Sequence, residues 1–262
     1  MRSKYQLFDK YKNRLVHAFE IFTRIDGIQA AAAFANYAFF SLFPLIVLFV
    51  TIASFFINPA QAEISVLNYV KGYVPITGAL QSALFDTITG VVNARGQASV
   101  VATLFLIWSA QQFFNTLILT ANRAWSAEAY NWWQLPLKSL MFLGVTVCAV
   151  LLGVAVPVLS RIGTWILPLL IVFLSVSFFY QFSPSRKITF SEIWLAALVA
   201  TVAFQIQNSI FMLYINNIAK LNVIYGAFGA VMALLLWIYF SGNILFFGAC
   251  LCAAQAEEKP GA

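Results

Sequence analysis

The chain has 262 residues, 62% hydrophobic and only 9% charged. A soluble domain carries about 25% charged residues, so this composition excludes a water-soluble globular fold and calls for lipid as the solvent. The formal net charge of +6 does not point to nucleic acid, because the basic residues lie at the ends of apolar runs and not in one patch.

Residues 1–26 read as a basic amphipathic helix. Phe8, Tyr11, Leu15, Phe19, Phe22 and Ile25 recur at three- and four-residue steps, with Lys4, Lys10, Lys12, Arg14 and Arg24 among them. Such a helix either lies at the lipid headgroups or packs on the cytoplasmic face of its own membrane domain. This polar start leaves no cleavable leader to expect. Asp26-Gly27-Ile28-Gln29 resembles a capping box that opens the next helix.

Residues 27–254 then supply six apolar stretches, at about 27–57, 98–122, 139–160, 164–182, 190–216 and 224–254, each near the roughly 20 residues a spanning helix needs. Pro44 is expected to kink the first. Segment 58–97 is too polar to cross and reads as two short amphipathic helices split at Pro75-Ile76-Thr77-Gly78. Residues 255–262 form a short polar tail. The fold class is therefore all-α: a polytopic membrane protein of six transmembrane helices, with an interfacial N-terminal helix and a short helical extracytoplasmic segment.

Orientation follows from the fifteen Lys and Arg residues. With the N-terminus inside, Arg2, Lys4, Lys10, Lys12, Arg14, Arg24, Arg123, Lys138, Arg186, Lys187 and Lys259 are cytoplasmic, and Lys71, Arg95, Arg161 and Lys220 are outside. Positive-inside placement thus puts both termini in the cytoplasm and segment 58–97 outside. Trp125, Trp132 and Trp133 are placed as a cytoplasmic aromatic belt.

Several stretches resemble the YihY/BrkB family of bacterial inner-membrane proteins, formerly labelled ribonuclease BN. They are Ser41-Leu42-Phe43-Pro44; Phe114-Asn115 with Asn122-Arg123-Ala124-Trp125; Phe179-Tyr180-Gln181 with Pro184; and Tyr225-Gly226-Ala227-Phe228-Gly229-Ala230, continuing through Leu236-Trp237-Ile238-Tyr239 to Gly248-Ala249. The resemblance implies a six-helix inner-membrane protein with a role in solute export, lipid handling or envelope integrity. Gln181 stands where many members carry Arg, and Cys250 where many carry Glu, so a mechanism built on that acid is not expected here.

Chemistry is sparse. His17 is the single histidine, the nine acids are scattered, and no cluster has metal-ligand spacing, so the reading is non-enzymatic, with no metal, no cofactor and no nucleic-acid partner. Cys148, Cys250 and Cys252 read as small packing residues. No ionisable residue falls near the middle of a span, which argues against dedicated ion coupling.

Uncharged polar residues do enter the spans: Asn36, Ser41, Gln112, Asn115, Thr201, Gln205 and Asn208, with Tyr225 at the start of the sixth. Amides avoid lipid, so these either hydrogen-bond between helices or line a cavity for a small solute or lipid-like amphiphile. Gly226 with Ala230, and Gly229 with Ala233, are small-residue pairs for close helix packing. The leading expectation is a transporter-like protein whose partners are membrane lipids and such a ligand, with a homo-oligomer compatible. The alternative is an envelope-maintenance scaffold acting through segment 58–97, and a ribonuclease is disfavoured.

Overall fold

A computed structural model of the chain describes residues 2–53, 100–128, 130–159, 166–186, 188–218 and 222–257, with Gln61, Ile64, Asn68 and Asp86 as isolated helical positions. The described residues form helices and short connections, with no strand among them. The helices are α1 (Arg2–Arg24), α2 (Gly27–Ala53), α3 (Val100–Ala124), α4 (Gln134–Leu159), α5 (Ile166–Phe182), α6 (Phe190–Ile218) and α7 (Asn222–Glu257). Most of segment 58–97, and the kink expected at Pro44 beyond the statement that α2 continues through it, lie outside the described residues. By length and apolar composition, Phe190–Tyr214 and Val231–Glu257 are the described segments that could each cross a membrane, and Gln134–Cys148 and Leu169–Phe182 are shorter apolar stretches.

Helix ends follow local chemistry. Thr189 N–H donates to the Glu192 carboxylate (3.1 Å), and Glu192 N–H returns to the Thr189 carbonyl (2.9 Å), a capping box that starts α6. Gln134 closes the start of α4 in the same way on Asn131 N–H (3.2 Å). Asp26 behaves differently from the sequence expectation. Its φ of 52° is left-handed, and its N–H bonds the Thr23 carbonyl (3.1 Å), so it terminates α1 instead of opening a capping box. Asp is among the few side chains that tolerate this conformation.

The centre of the fold is α7, which packs against α1, α2, α3, α5 and α6. Its 36 residues measure about 54 Å, well beyond a hydrocarbon layer of about 30 Å. The C-terminal part, Gly248–Ala256, is buried throughout. Small side chains there let neighbours approach closely. A Cβ on Gly242 would lie 2.7 Å from the Phe34 ring of α2, and one on Gly248 would overlap the Tyr180 hydroxyl of α5 and lie 2.7 Å from its Cζ.

α1 runs along the end of α7 in the opposite direction, and α2 packs on α7 through Ala31 and Phe34. Phe34 packs edge-to-face on Phe246 (5.7 Å), Phe22 on Phe247 (5.9 Å), and His17 Nε2 meets the Glu257 carboxylate at 2.6 Å. As the α1 numbers fall, the α7 numbers rise. α1 therefore stands beside the end of α7 with Ala18, Ile21, Phe22 and Ile25 buried, which is the packed alternative for that helix. Leu15, Val16 and Phe19 remain an exposed apolar flank. The pairing also puts His17 and Glu257 on one side of the bundle.

Two outcomes follow. Gly248→Ala is expected to cost about 1–3 kcal/mol through overpacking, and the loss shrinks in a Tyr180→Phe background that lacks the hydroxyl. Thermal unfolding of the four proteins in detergent measures this coupling. Bonds to Glu257, then to Glu20, raise the His17 pKa above its usual 6.5. A raised pKa means the contact is fully present below 6.5 and is lost as pH climbs through the folded value. As the chain's one histidine, His17 is expected to titrate above 6.5 by NMR and to move back toward 6.5 in Glu257→Gln.

Candidate functional site

Two polar regions connect the helices. The first joins the ends of α3, α4 and α5 beside the C-terminal part of α7. Lys138 Nζ donates to the carbonyls of Phe182 (2.9 Å) and Pro184 (2.8 Å) and to the Tyr130 hydroxyl (2.8 Å). The Lys138 ammonium thus closes carbonyls at the C-terminus of α5, where positive charge is favourable. Tyr130 donates in turn to Ser183 O, and burial raises its phenol above the usual pKa.

Asn122, at the end of α3, donates to Glu128 O (2.9 Å) and accepts from Ser185 N–H (2.8 Å). The Arg186 guanidinium stacks 5.0 Å from the Trp125 ring. Trp125 is buried under it and so is not part of an exposed belt, whereas Trp132 and Trp133 are exposed. Gln255 Nε2 ties α7 to Ser191 O (3.2 Å). This region is a lock between helix ends, in which Ser183 Oγ and Gln255 Oε1 are buried without a hydrogen-bond partner.

The second region is a layer between α6 and α7. Gln207 Nε2 donates to Trp237 O (2.8 Å) and Ser241 Oγ (2.9 Å), while Ser241 Oγ donates to Trp237 O (2.9 Å). A carbonyl can only accept, so the Gln207 nitrogen must face Trp237 O and its oxygen must point elsewhere. That oxygen, Gln207 Oε1, is buried without a hydrogen-bond partner, as are Asn208 Oδ1 and Trp237 Nε1. The layer lies about 25 Å along α6 from Phe190, at about 1.5 Å per residue. Buried polar atoms in apolar surroundings cost free energy unless something bonds them.

The residues singled out in the sequence do not converge on one cavity. Asn36 and Gln205 are exposed. Ser41 and Thr201 are buried but spend their hydroxyls on their own helices, at Ala38 O (3.1 Å) and Ala197 O (2.7 Å). Asn115 pairs with the Ser139 hydroxyl of α4, and Gln112 is half-buried. Asn208, half-buried on α6, carries an Oδ1 that is buried without a hydrogen-bond partner. Ala233 is half-buried on α7, and the side chains of Tyr225, Gly226, Gly229 and Ala230 lie outside the described residues.

Gln207, Trp237 and Ser241 were missed as site residues. The signal for Gln207 was its place two turns beyond Ala200, on the face that buries Ile193, Ala196, Ala197 and Phe211. Among the described residues, no three His, Cys, Asp or Glu groups are placed to hold a metal ion.

Gln207→Leu is expected to lower the unfolding temperature, because it leaves Ser241 without its cross-helix donor; the scale is about 1–3 kcal/mol. Gln205→Leu, on the exposed face, should be neutral or stabilising in detergent. Equal loss in both would refute this placement of α6.

The sequence profile of the family described as Virulence factor BrkB matches residues 18–262. Relatives include the UPF0761 membrane protein of Alteromonas mediterranea, 28% identical over 89% of this chain and 86% of its own length. The ribonuclease-like protein YfkH of Bacillus subtilis is 24% identical over 94% of this chain and 96% of its own. A UPF0761 membrane protein of Vibrio atlanticus is 27% identical over 89% of this chain and 80% of its own. No solved structure matches the chain. With a match spanning both the interhelical lock and the α6–α7 layer, the chain belongs to the BrkB family of membrane proteins.

Proposed function

We propose that this chain is a six-span inner-membrane protein, with both ends cytoplasmic, that binds and moves a small solute or lipid-like amphiphile without carrying out chemistry on it. The observation that carries the reading is that Gln207 Oε1 and Asn208 Oδ1 of α6 and Trp237 Nε1 of α7 are buried without hydrogen-bond partners. In hydrocarbon such atoms have no water to bond, so a guest group is their natural complement. The pairing of α1 with the end of α7, and the excess of Lys and Arg on that side, support the orientation. Alternating access would require the Lys138–Asn122 lock to open.

The test is native mass spectrometry of the protein purified in mild detergent from bacterial inner membranes. One enriched small molecule or lipid is expected, lost in Gln207→Leu and kept in Gln205→Leu. Bulk lipids in their membrane proportions would sink the reading and turn attention to a scaffold role for segment 58–97. The name of the Bacillus relative raises a nuclease reading for that protein. The same preparation of this chain is expected to leave RNA intact with Mg²⁺ or Mn²⁺ present, and chelator-sensitive cleavage would overturn the non-enzymatic part.

A further inference from the structure

We propose that α1, together with the α3–α4 connection to which it is tied, is a docking surface for anionic phospholipids of the leaflet on the side of the His17–Glu257 contact. This surface is separate from the α6–α7 layer and needs no guest there.

α1 divides into three faces when its residues are placed about 100° apart. Ala18, Ile21, Phe22 and Ile25 form the face buried in the protein. Leu15, Val16 and Phe19 occupy the next sector and are exposed, Phe19 at 63%. Asn13, His17, Glu20 and Arg24 make up the third, polar edge. A helix with an apolar flank between a packed face and a charged edge suits three surroundings at once: protein, acyl chains and headgroups. Lys12 stands in the apolar sector, and its long stem lets the ammonium reach the headgroups from there.

The depth of α1 is set at its end. Arg24 Nη2 donates to Ser126 Oγ (3.0 Å), which ties α1 to the α3–α4 connection. That connection also carries Trp132, 88% exposed, and the exposed Trp133. Exposed tryptophans of a membrane protein favour the headgroup level, so the bond holds α1 beside that level.

The charge of this end is positive and unspent. The Arg186 guanidinium rests 5.0 Å from the Trp125 ring, one residue before the Ser126 that holds Arg24. Arg123 is exposed in the last turn of α3, and Lys138 is held by carbonyls and not by a carboxylate. The carboxylates of Glu20 and Glu257 meet His17, and that of Glu192 accepts from Thr189 N–H. Asp26 and Glu128 remain as exposed acids of this region, and among the described residues neither pairs with Arg24, Arg123 or Arg186. Guanidinium groups fit phosphate oxygens, and basic residues beside a membrane draw anionic headgroups. A soluble polyanion would satisfy the arginines and leave Leu15, Val16 and Phe19 facing water. A phospholipid serves both, with its phosphate on the arginines and its chains along the flank.

The first measurement is native mass spectrometry of the full chain, delipidated in mild detergent and titrated with dioleoylphosphatidylglycerol and dioleoylphosphatidylcholine together. Phosphatidylglycerol is expected to bind about tenfold more tightly. Arg24→Gln with Arg186→Gln, and separately Arg123→Gln at an exposed side chain, are expected to lower that preference, by about fivefold per guanidinium removed. Arg24→Lys with Arg186→Lys keeps the charge and is expected to keep most of the preference. No preference in the parent, or a preference that survives all the Gln substitutions, overturns the proposal.

The second measurement is maleimide labelling from water of single cysteines in lipid nanodiscs, in a Cys148→Ser background that removes the exposed native thiol. Asn13→Cys on the polar edge is expected to label readily, and Phe19→Cys about tenfold or more slowly because its flank lies among acyl chains. Equal labelling overturns the placement of α1 in the leaflet. Protection of Phe19→Cys that accompanies a dimer mass assigns the flank to a second copy of the chain and overturns it as well.

Discussion

The close approach that the C-terminal half of α7 permits is the constraint on which the rest of the structure depends. Gly242 and Gly248 leave no room for a Cβ against Phe34 and Tyr180, and the run from Ala249 to Ala256 is almost entirely small. Lipid gives apolar helices little reason to prefer each other over acyl chains, so association relies on van der Waals contact at short range. Small residues make that contact available on several sides of one helix. This is why α7 can be shared by α1, α2, α3, α5 and α6. Tyr180 shows the fit: its ring lies over Gly248 while its hydroxyl donates to Leu245 O (3.1 Å) on the same helix.

Around that axis the polar groups divide into two populations. At the lock near Lys138 and Asn122, side chains bond carbonyls and N–H groups that helix ends leave open, so charge and hydrogen-bonding capacity are absorbed by the backbone. Motifs that carry the family resemblance, Asn122-Arg123-Ala124-Trp125 and Phe179-Tyr180, sit in or beside this lock. In the α6–α7 layer the bonds run among Gln207, Trp237 and Ser241, and Gln207 Oε1 and Trp237 Nε1 are left without partners. Both populations tie helices together, and both leave buried polar atoms without a partner.

Length, composition and the alternation of basic residues made the helical membrane character readable from the sequence, because lipid restricts spanning segments to a narrow choice of length and polarity. Helix starts were partly readable. Thr189-Phe190-Ser191-Glu192 forms a capping box, yet Asp26-Gly27-Ile28-Gln29, with a similar spacing, does not. The difference is that Asp26 must close α1 as well as precede α2, and the turn between the two helices takes its left-handed φ.

The site was less readable, for a reason that Gln205 and Gln207 make plain. Helical spacing determines that Thr201, Gln205 and Asn208 are near one another on α6. It does not determine which way that face points. The direction is decided by where α7 and α5 pack, which depends on Gly242, Gly248 and the small residues beyond them. The sequence by itself determined that this is an all-helical membrane chain with uncharged polar groups at depth, because periodicity and polarity are local properties. Only the tertiary structure decided that Gln207 and Trp237 face each other across α6 and α7 while Gln205 faces out, because that choice rests on contacts between residues thirty positions apart.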